Sequence, residues 1–144
     1  MAWELRRSTA SDATWIAELR AVVLLDDLDR LGRYDPVRVR QRFLDAFDPS
    51  STSVILVDGA DAGSIALRPD DEGAVWVEHF YLDPALQGRG IGSGVLAQVL
   101  AAEPSATFRL NVLQGSPARR LYERAGFVAD SEDEVDVFMT RILT

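Results

Sequence analysis

Apolar and polar residues alternate from Trp3 to Arg7, the two-residue period of a strand with one buried face, and Ser8-Thr9-Ala10-Ser11-Asp12 then supplies a helix-start signal. Trp15, Leu19 and Val22, with Ile16 and Val23 beside them, recur at helical spacing and predict a helix that buries one face through about Leu25. The acidic stretch Asp26-Asp27-Leu28-Asp29 leads from there to Gly32. Asp35-Pro36 joins a capping side chain to a proline suited to the first helical position. A second helix is therefore predicted to about Phe47, with Val39, Phe43 and Phe47 as its apolar stripe. Pro49-Ser50-Ser51 breaks it. Ser53 to Val57 reads as a strand closed by Asp58-Gly59, and Ala62 to Leu67 as its hairpin partner. After the turn-rich stretch from Arg68 to Gly73, Ala74 to Leu82 is the strongest strand signal in the chain, and Asp83-Pro84 ends it. A helix from about Gly90 to Ala102, a strand from Thr107 to Val112, a short helix from Pro117 to Ala125 and a last strand from Val135 to Ile142 complete the pattern.

This order predicts an α/β fold of the α+β kind: a mixed, largely antiparallel sheet flanked by helices, and not a doubly wound parallel sheet. The 144 residues suit a single domain spanning 1–144, with no repeat, low-complexity segment or linker to divide it. Hydrophobic residues at 47% and charged residues at 26% allow a real core. The formal net charge of -8 repels phosphate backbones and anionic membranes, so no nucleic-acid or membrane partner is expected and cationic partners are favoured. The absence of cysteine excludes disulfides, thiolate metal sites and a thioester carried on the protein. A cytoplasmic setting is the default expectation, since the opening residues lack an apolar signal core and no stretch reaches the roughly 18 apolar residues of a membrane span. His79 is the one histidine, with no second ligand at metal spacing, so no metal is expected.

Gln87-Gly88-Arg89-Gly90-Ile91-Gly92-Ser93-Gly94 lies between the long strand and an apolar helix. A glycine-rich turn there exposes backbone N–H groups at a helix N-terminus, an arrangement that binds phosphate, and glycine lets the backbone approach a pyrophosphate closely. The spacing excludes two phosphate loops. Gly92 is followed by Ser93 with no lysine, against the Walker pattern. The dinucleotide fingerprint fails because a serine or a valine stands where its third glycine is needed. The glycines alone are equally compatible with a tight turn and close helix packing.

The stretch from Trp76 to Gly92 resembles the signature of the GNAT superfamily of N-acyltransferases. In that signature a strand ends in an apolar residue, one residue and proline, followed by Gln or Arg, two residues, Gly, one residue, and Gly or Ala. Leu82, Pro84, Gln87, Gly90 and Gly92 fill those places in order. The segment from Ala118 to Phe127 is similar to the family's second signature, a helix bearing Leu-Tyr that ends at Gly-Phe, and the resemblance spans nearly the whole chain. One departure stands out: the family often has Asn seven residues before the helix tyrosine, where this chain has Gly115, and Ser116 is placed to cap the helix ahead of Pro117.

The resemblance implies an N-acetyltransferase that uses acetyl-coenzyme A as acyl donor. It places the pyrophosphate on the amides of Gln87, Gly88, Arg89, Gly90, Ile91, Gly92 and Ser93, with Ser116 near the donor arm and Arg89 or Arg119 available for phosphate charge. It makes Tyr122 the acid that protonates the leaving thiolate, and the N–H of Leu82 the donor to the thioester carbonyl. Glu78 lies four residues before Leu82, where polyamine-acetylating relatives carry a general base; the alternative is that it pairs with an arginine or faces solvent. His79 is read as structural, on the other face of a regular strand from Glu78. In the family the acceptor site is partly built by the first two helices, where Asp26, Asp27, Asp29 and Asp35 gather. Those carboxylates suit a cationic acceptor, a small-molecule amine or a peptide amine, or else form a solvated charge run. Homodimers are frequent in the family. Two other readings remain at this point: a non-catalytic acyl-coenzyme A-binding sensor or interaction module, and a transfer-RNA-modifying relative, which the acidic charge disfavours.

Overall fold

The computed structural model describes residues 1–142. Strand β1 (Trp3–Arg7) leads through a 3-10 turn into α1 (Ala13–Val23), α2 (Leu25–Arg30) and α3 (Pro36–Ala46). Strands β2 (Thr52–Val57), β3 (Ala60–Pro69) and β4 (Ala74–Leu82) follow as an antiparallel meander. Helix α4 (Ile91–Ala101) then crosses to β5 (Thr107–Leu113), and α5 (Ala118–Arg124), β6 (Val128–Glu132) and β7 (Asp136–Arg141) close the chain. The sheet order is β1-β2-β3-β4-β5-β7-β6, antiparallel at every pairing except β4–β5. The predicted mixed, largely antiparallel sheet flanked by helices is the one observed.

Helices cover the two faces of the sheet unequally. Helices α1 and α3 bury Ile16, Ala17 and Phe43 against Val54 and Tyr81 on one face. On the other, Ile91, Val95, Leu96, Val99 and Leu100 of α4 and Tyr122 of α5 pack on Ile55, Ile65, Val77, Phe108, Leu110 and Met139. Asp35 caps α3 as expected, its carboxylate accepting from Val37 and Arg38 N–H at 2.9 Å each. Val39 and Phe43 are buried and Phe47 half-buried, the stripe that the spacing predicts.

Three local expectations are corrected. The first helix ends at Val23, and a separate short helix, α2, occupies the acidic stretch. Its residue Arg30 ties it down, donating to Asp27 at 2.7 Å and to the carbonyl of Gln114 at 2.9 Å. Within α1 the buried residues are Ile16, Ala17 and Ala21, while Val22 is 60% exposed. The inward stripe runs through small alanines, about 100° round the helix from Val22. Strand β6 lies in a segment read as a connection. It is a mostly exposed strand at the sheet edge, paired with β7 alone.

Candidate active site

Strand β4 carries the irregularity on which the site is built. Ser64 pairs with Tyr81 and Ala66 with Glu78, so the single residue between them on β3, Ile65, faces both His79 and Phe80. This is a β-bulge, and His79 takes the left-handed conformation it requires, with φ of 48°. The extra residue resets the alternation of side chains. Glu78 and Tyr81 lie opposite Ala66 and Ser64 on the α1–α3 face, although three residues apart. His79 shares that face, its ring meeting Phe43 edge-on at 5.0 Å. The expectation that His79 lies across the sheet from Glu78 is thereby overturned, because a regular strand was assumed. Phe80 turns to the opposite face, where Tyr122 is 6.4 Å away between ring centroids.

Already ahead of the bulge β4 leaves β5. The parallel pairing runs only through Ala74–Thr107, Val75–Phe108 and Trp76–Arg109, and from Val77 onward the strands diverge. Asp83 N–H donates to Ala62 at 2.8 Å, which makes the neighbouring Gly63–Leu82 a non-hydrogen-bonded pair of the β3–β4 ladder. The N–H and C=O of Leu82 therefore point into the gap that β5 has left, and Gln87 Nε2 reaches that carbonyl at 3.0 Å.

The glycine loop lies between β4 and α4. Gly88 and Gly90 have φ of 77° and 81°, and a Cβ added at either would meet nothing within 4 Å. The turn is thus open above its backbone, with Gly90 as the left-handed cap of α4 and the amides of Ile91, Gly92 and Ser93 in the first helical turn. Gly92 sits where α4, β4 and α5 converge: a Cβ there would lie 3.7 Å from Leu121 and 3.9 Å from Phe80. Gly94 is a packing glycine, with the Trp3 indole 3.0 Å from the place of its missing Cβ. Arg89 is exposed and, among the described residues, its one hydrogen bond is to the Met1 sulfur at 3.9 Å, while Arg119 makes a loose 3.5 Å pair with Glu123. Ser116 Oγ accepts from Ala118 N–H at 3.2 Å at the start of α5, the capping role expected of it. Above Gly115, whose φ is 76°, lies the Arg30 guanidinium, 2.7 Å from the position a Cβ would take.

Tyr122 is buried, and burial pushes its hydroxyl well above the ordinary tyrosine range. Glu78 pairs with Arg68, whose Nε and Nη2 reach the same oxygen, Oε1, at 2.8 and 2.7 Å. Oε2 carries no protein hydrogen bond among the described residues. Near it, His79 Nδ1 is 3.3 Å from the Tyr81 hydroxyl, which accepts from Arg20 Nη1 at 2.7 Å. Burial and then the Arg20 charge hold His79 below the usual histidine value, so it is neutral at pH 7. Arg20, Tyr81 and the bulge carry no sequence signature. The acidic residues near the first helices are partly committed elsewhere, Asp35 to its cap and Asp27 to Arg30, while Asp26 and Asp29 are exposed. Among the described residues no helix is long and apolar enough to cross a membrane, and no group of three or more His, Cys, Asp or Glu could hold a metal ion.

The fold and the match to known proteins agree. A family described as an acetyltransferase (GNAT) domain matches residues 48–129. The PaiA N-acetyltransferase of Thermoplasma acidophilum, solved in complex with coenzyme A, is 17% identical, with a TM-score of 0.77 over 99% of this chain and 100% of that one. PH1933 of Pyrococcus horikoshii is 22% identical with a TM-score of 0.76 over 99% of both chains. Ard1 of Thermoplasma volcanium is 20% identical with a TM-score of 0.73 over the full length of both. At these identities the likeness to solved structures is one of fold. No curated protein sequence matches the chain.

Proposed function

The chain belongs to the GNAT family of acetyltransferases and is an acyltransferase, and from that premise we propose that it moves the acetyl group of acetyl-coenzyme A to a primary amine by direct attack, with both substrates bound together. The observation that supports this reading is the divergence of β4 from β5, which leaves the Leu82 N–H turned away from β3, two residues after Phe80, whose ring is 6.4 Å from Tyr122.

The loop from Gln87 to Ser93 has the chemistry to hold a pyrophosphate, with unencumbered amides at Gly88 and Gly90 and the positive end of α4 behind them. Arg89 and Arg119, each weakly engaged, are free to turn toward phosphate charge, and Ser116 stands at the start of α5 beside the donor arm. The Leu82 N–H meets the thioester carbonyl and stabilises the negative charge that grows on its oxygen during attack. The ammonium form of the acceptor gives a proton through a water to Glu78 Oε2, the oxygen that Arg68 does not occupy. The free amine then forms the C–N bond, the C–S bond breaks and the thiolate takes the Tyr122 proton, while the proton that attack leaves on the new amide nitrogen passes through water to restore the Tyr122 hydroxyl. Burial keeps the Tyr122 hydroxyl protonated across the whole physiological range, so the proton is in place before attack, and it also makes the group a weak acid that gives its proton only as thiolate charge develops. A chain without cysteine favours this direct route over one through an acyl-enzyme. The acceptor is a small-molecule or peptide amine, and the exposed Asp26 and Asp29 favour its cationic form. We place the whole activity in one domain, in a cytoplasmic setting.

Free-thiol release from acetyl-coenzyme A across an amine panel tests the proposal. Tyr122→Phe is expected to lower kcat by about 100-fold or more and Glu78→Gln by a comparable factor, within the usual range for a lost acid or base. Calorimetric binding of coenzyme A without release to any amine would replace transfer by a non-catalytic acyl-coenzyme A-binding role.

A further inference from the structure

Arg20 projects from α1 toward the β4 bulge as a half-buried cation without a carboxylate. Among the described residues the ion pairs join Arg6, Arg30, Arg40, Arg68 and Arg119 to acids, and Arg20 is in none of them, although the chain has 23 acidic residues against 15 basic ones. Its one side-chain hydrogen bond is from Nη1 to the Tyr81 hydroxyl at 2.7 Å. Its Nε is shut from solvent with no acceptor, and Nη2 beside it is not fully buried and makes no hydrogen bond among the described residues. Nη2 is therefore the donor of this edge that a ligand carboxylate reaches, and Nε, parallel to it, joins as the second donor once the edge opens. A charge held in this way is costly unless a counterion meets it. Two other arginines have an unpartnered buried nitrogen: Arg109, over Trp76 at 5.0 Å, and Arg141, which donates to the Ala125 carbonyl; Arg20 lies over the Tyr81 ring at 5.9 Å and differs from them in facing Glu78 and His79 beside the β4 bulge.

Position identifies the molecule that brings the counterion. The glycine loop and Tyr122 lie on the α4–α5 side, whereas Arg20, Tyr81, His79 and Glu78 share the α1–α3 face. Tyr81 is the residue next to Leu82, whose N–H faces the gap. We infer that the acceptor is an amine that also carries a carboxylate, with Arg20 as the group that binds it; this rests on the acetyl-transfer reading above. One cation beside a neutral histidine and a hydroxyl balances a monoanion and leaves a phosphate dianion in excess. The ammonium end of such an acceptor then lies toward Glu78 Oε2 and its carboxylate end at Arg20.

The test pairs each common L-amino acid, and each ω-amino acid from β-alanine to 6-aminohexanoate, with the amine that lacks its carboxyl group. Two readouts are taken: thiol release from acetyl-coenzyme A, and calorimetric binding to the protein saturated with coenzyme A. At least one pair is expected to favour the carboxylate by roughly 30-fold or more in specificity constant or affinity. Arg20→Gln should collapse that ratio toward one, and Arg20→Lys should restore part of it. Should Arg20→Gln not fold, the ratios of the unaltered protein and of Arg20→Lys carry the test. Release confined to amines without a carboxylate would overturn the inference and leave acetyl transfer standing. Arg20-dependent binding of amino carboxylates without release would uphold the inference and overturn transfer. Neither release nor binding with any member of the panel would overturn both.

Discussion

Asp12 shows what one side chain holds together at the scale of single residues. Its carboxylate is buried and accepts from Arg6 Nη1 at 3.0 Å, Arg6 Nη2 at 2.8 Å, Thr9 N–H at 2.8 Å and Trp15 Nε1 at 2.9 Å. The Arg6 bonds, against the opposing effect of burial, hold it far below the usual carboxylate range. A folded value below the unfolded one means that the unfolded chain binds more protons in between. The stabilisation is complete above about pH 5, where the unfolded carboxylate is ionised, and is lost as pH falls toward the folded value. Asp12→Asn should therefore cost about 2–3 kcal/mol at pH 7 by urea denaturation, with the deficit shrinking below about pH 5. A deficit independent of pH would show that packing, not charge, is what Asp12 supplies. In the sequence Asp12 reads only as part of a helix-start signal, because nothing local announces that Arg6 of the neighbouring strand will meet it. The same limit hides Arg20: its partner Tyr81 is 61 positions away.

Gly63 decides the shape of the site at the scale of elements. A Cβ there would lie 2.2 Å from the Tyr81 carbonyl oxygen and 3.2 Å from the Leu82 Cα, so β3 and β4 approach this closely only with glycine at that position. Gly63→Ala must push β4 outward where Leu82 is aimed. The expected loss is about 2–3 kcal/mol in thermal or urea unfolding, together with a fall in kcat that exceeds any change in donor affinity. Unchanged kcat in a destabilised variant would separate the bulge from the chemistry. Most elements were legible from periodicity: β1, β4, α3 and α4 lie within a residue or so of their predicted bounds, since each has a long apolar pattern or a cap. Helix α2 was not, because Leu25-Asp-Asp-Leu-Asp-Arg30 is too short to show a stripe and is held by Arg30 reaching across to Gln114. Strand β6 has a polar, exposed sequence and owes its form to β7. The glycine loop and Tyr122 could be singled out from spacing and resemblance, whereas the bulge that brings Glu78, His79 and Tyr81 to one face could not. A one-residue register shift leaves no trace in composition.

Taken as a whole, the molecule is a sheet of four strands and a sheet of three, joined along a short parallel ladder of three residue pairs. Every other pairing in the sheet is antiparallel, and the one parallel pairing is the one that fails to run its full length. That unfinished ladder makes a slit through an otherwise continuous wall, and it leaves one amide as a sentinel. Leu82 N–H, turned away from β3, is expected to exchange with deuterium faster than its neighbour Asp83, which is bonded to Ala62. Acetyl-coenzyme A added without an amine should slow exchange at Leu82 and leave Asp83 as it was; equal behaviour at the two sites would remove Leu82 from the donor site. On the proposed donor site, the break in the sheet would serve as a built-in gauge of donor occupancy, readable at a single backbone proton before any acceptor is known.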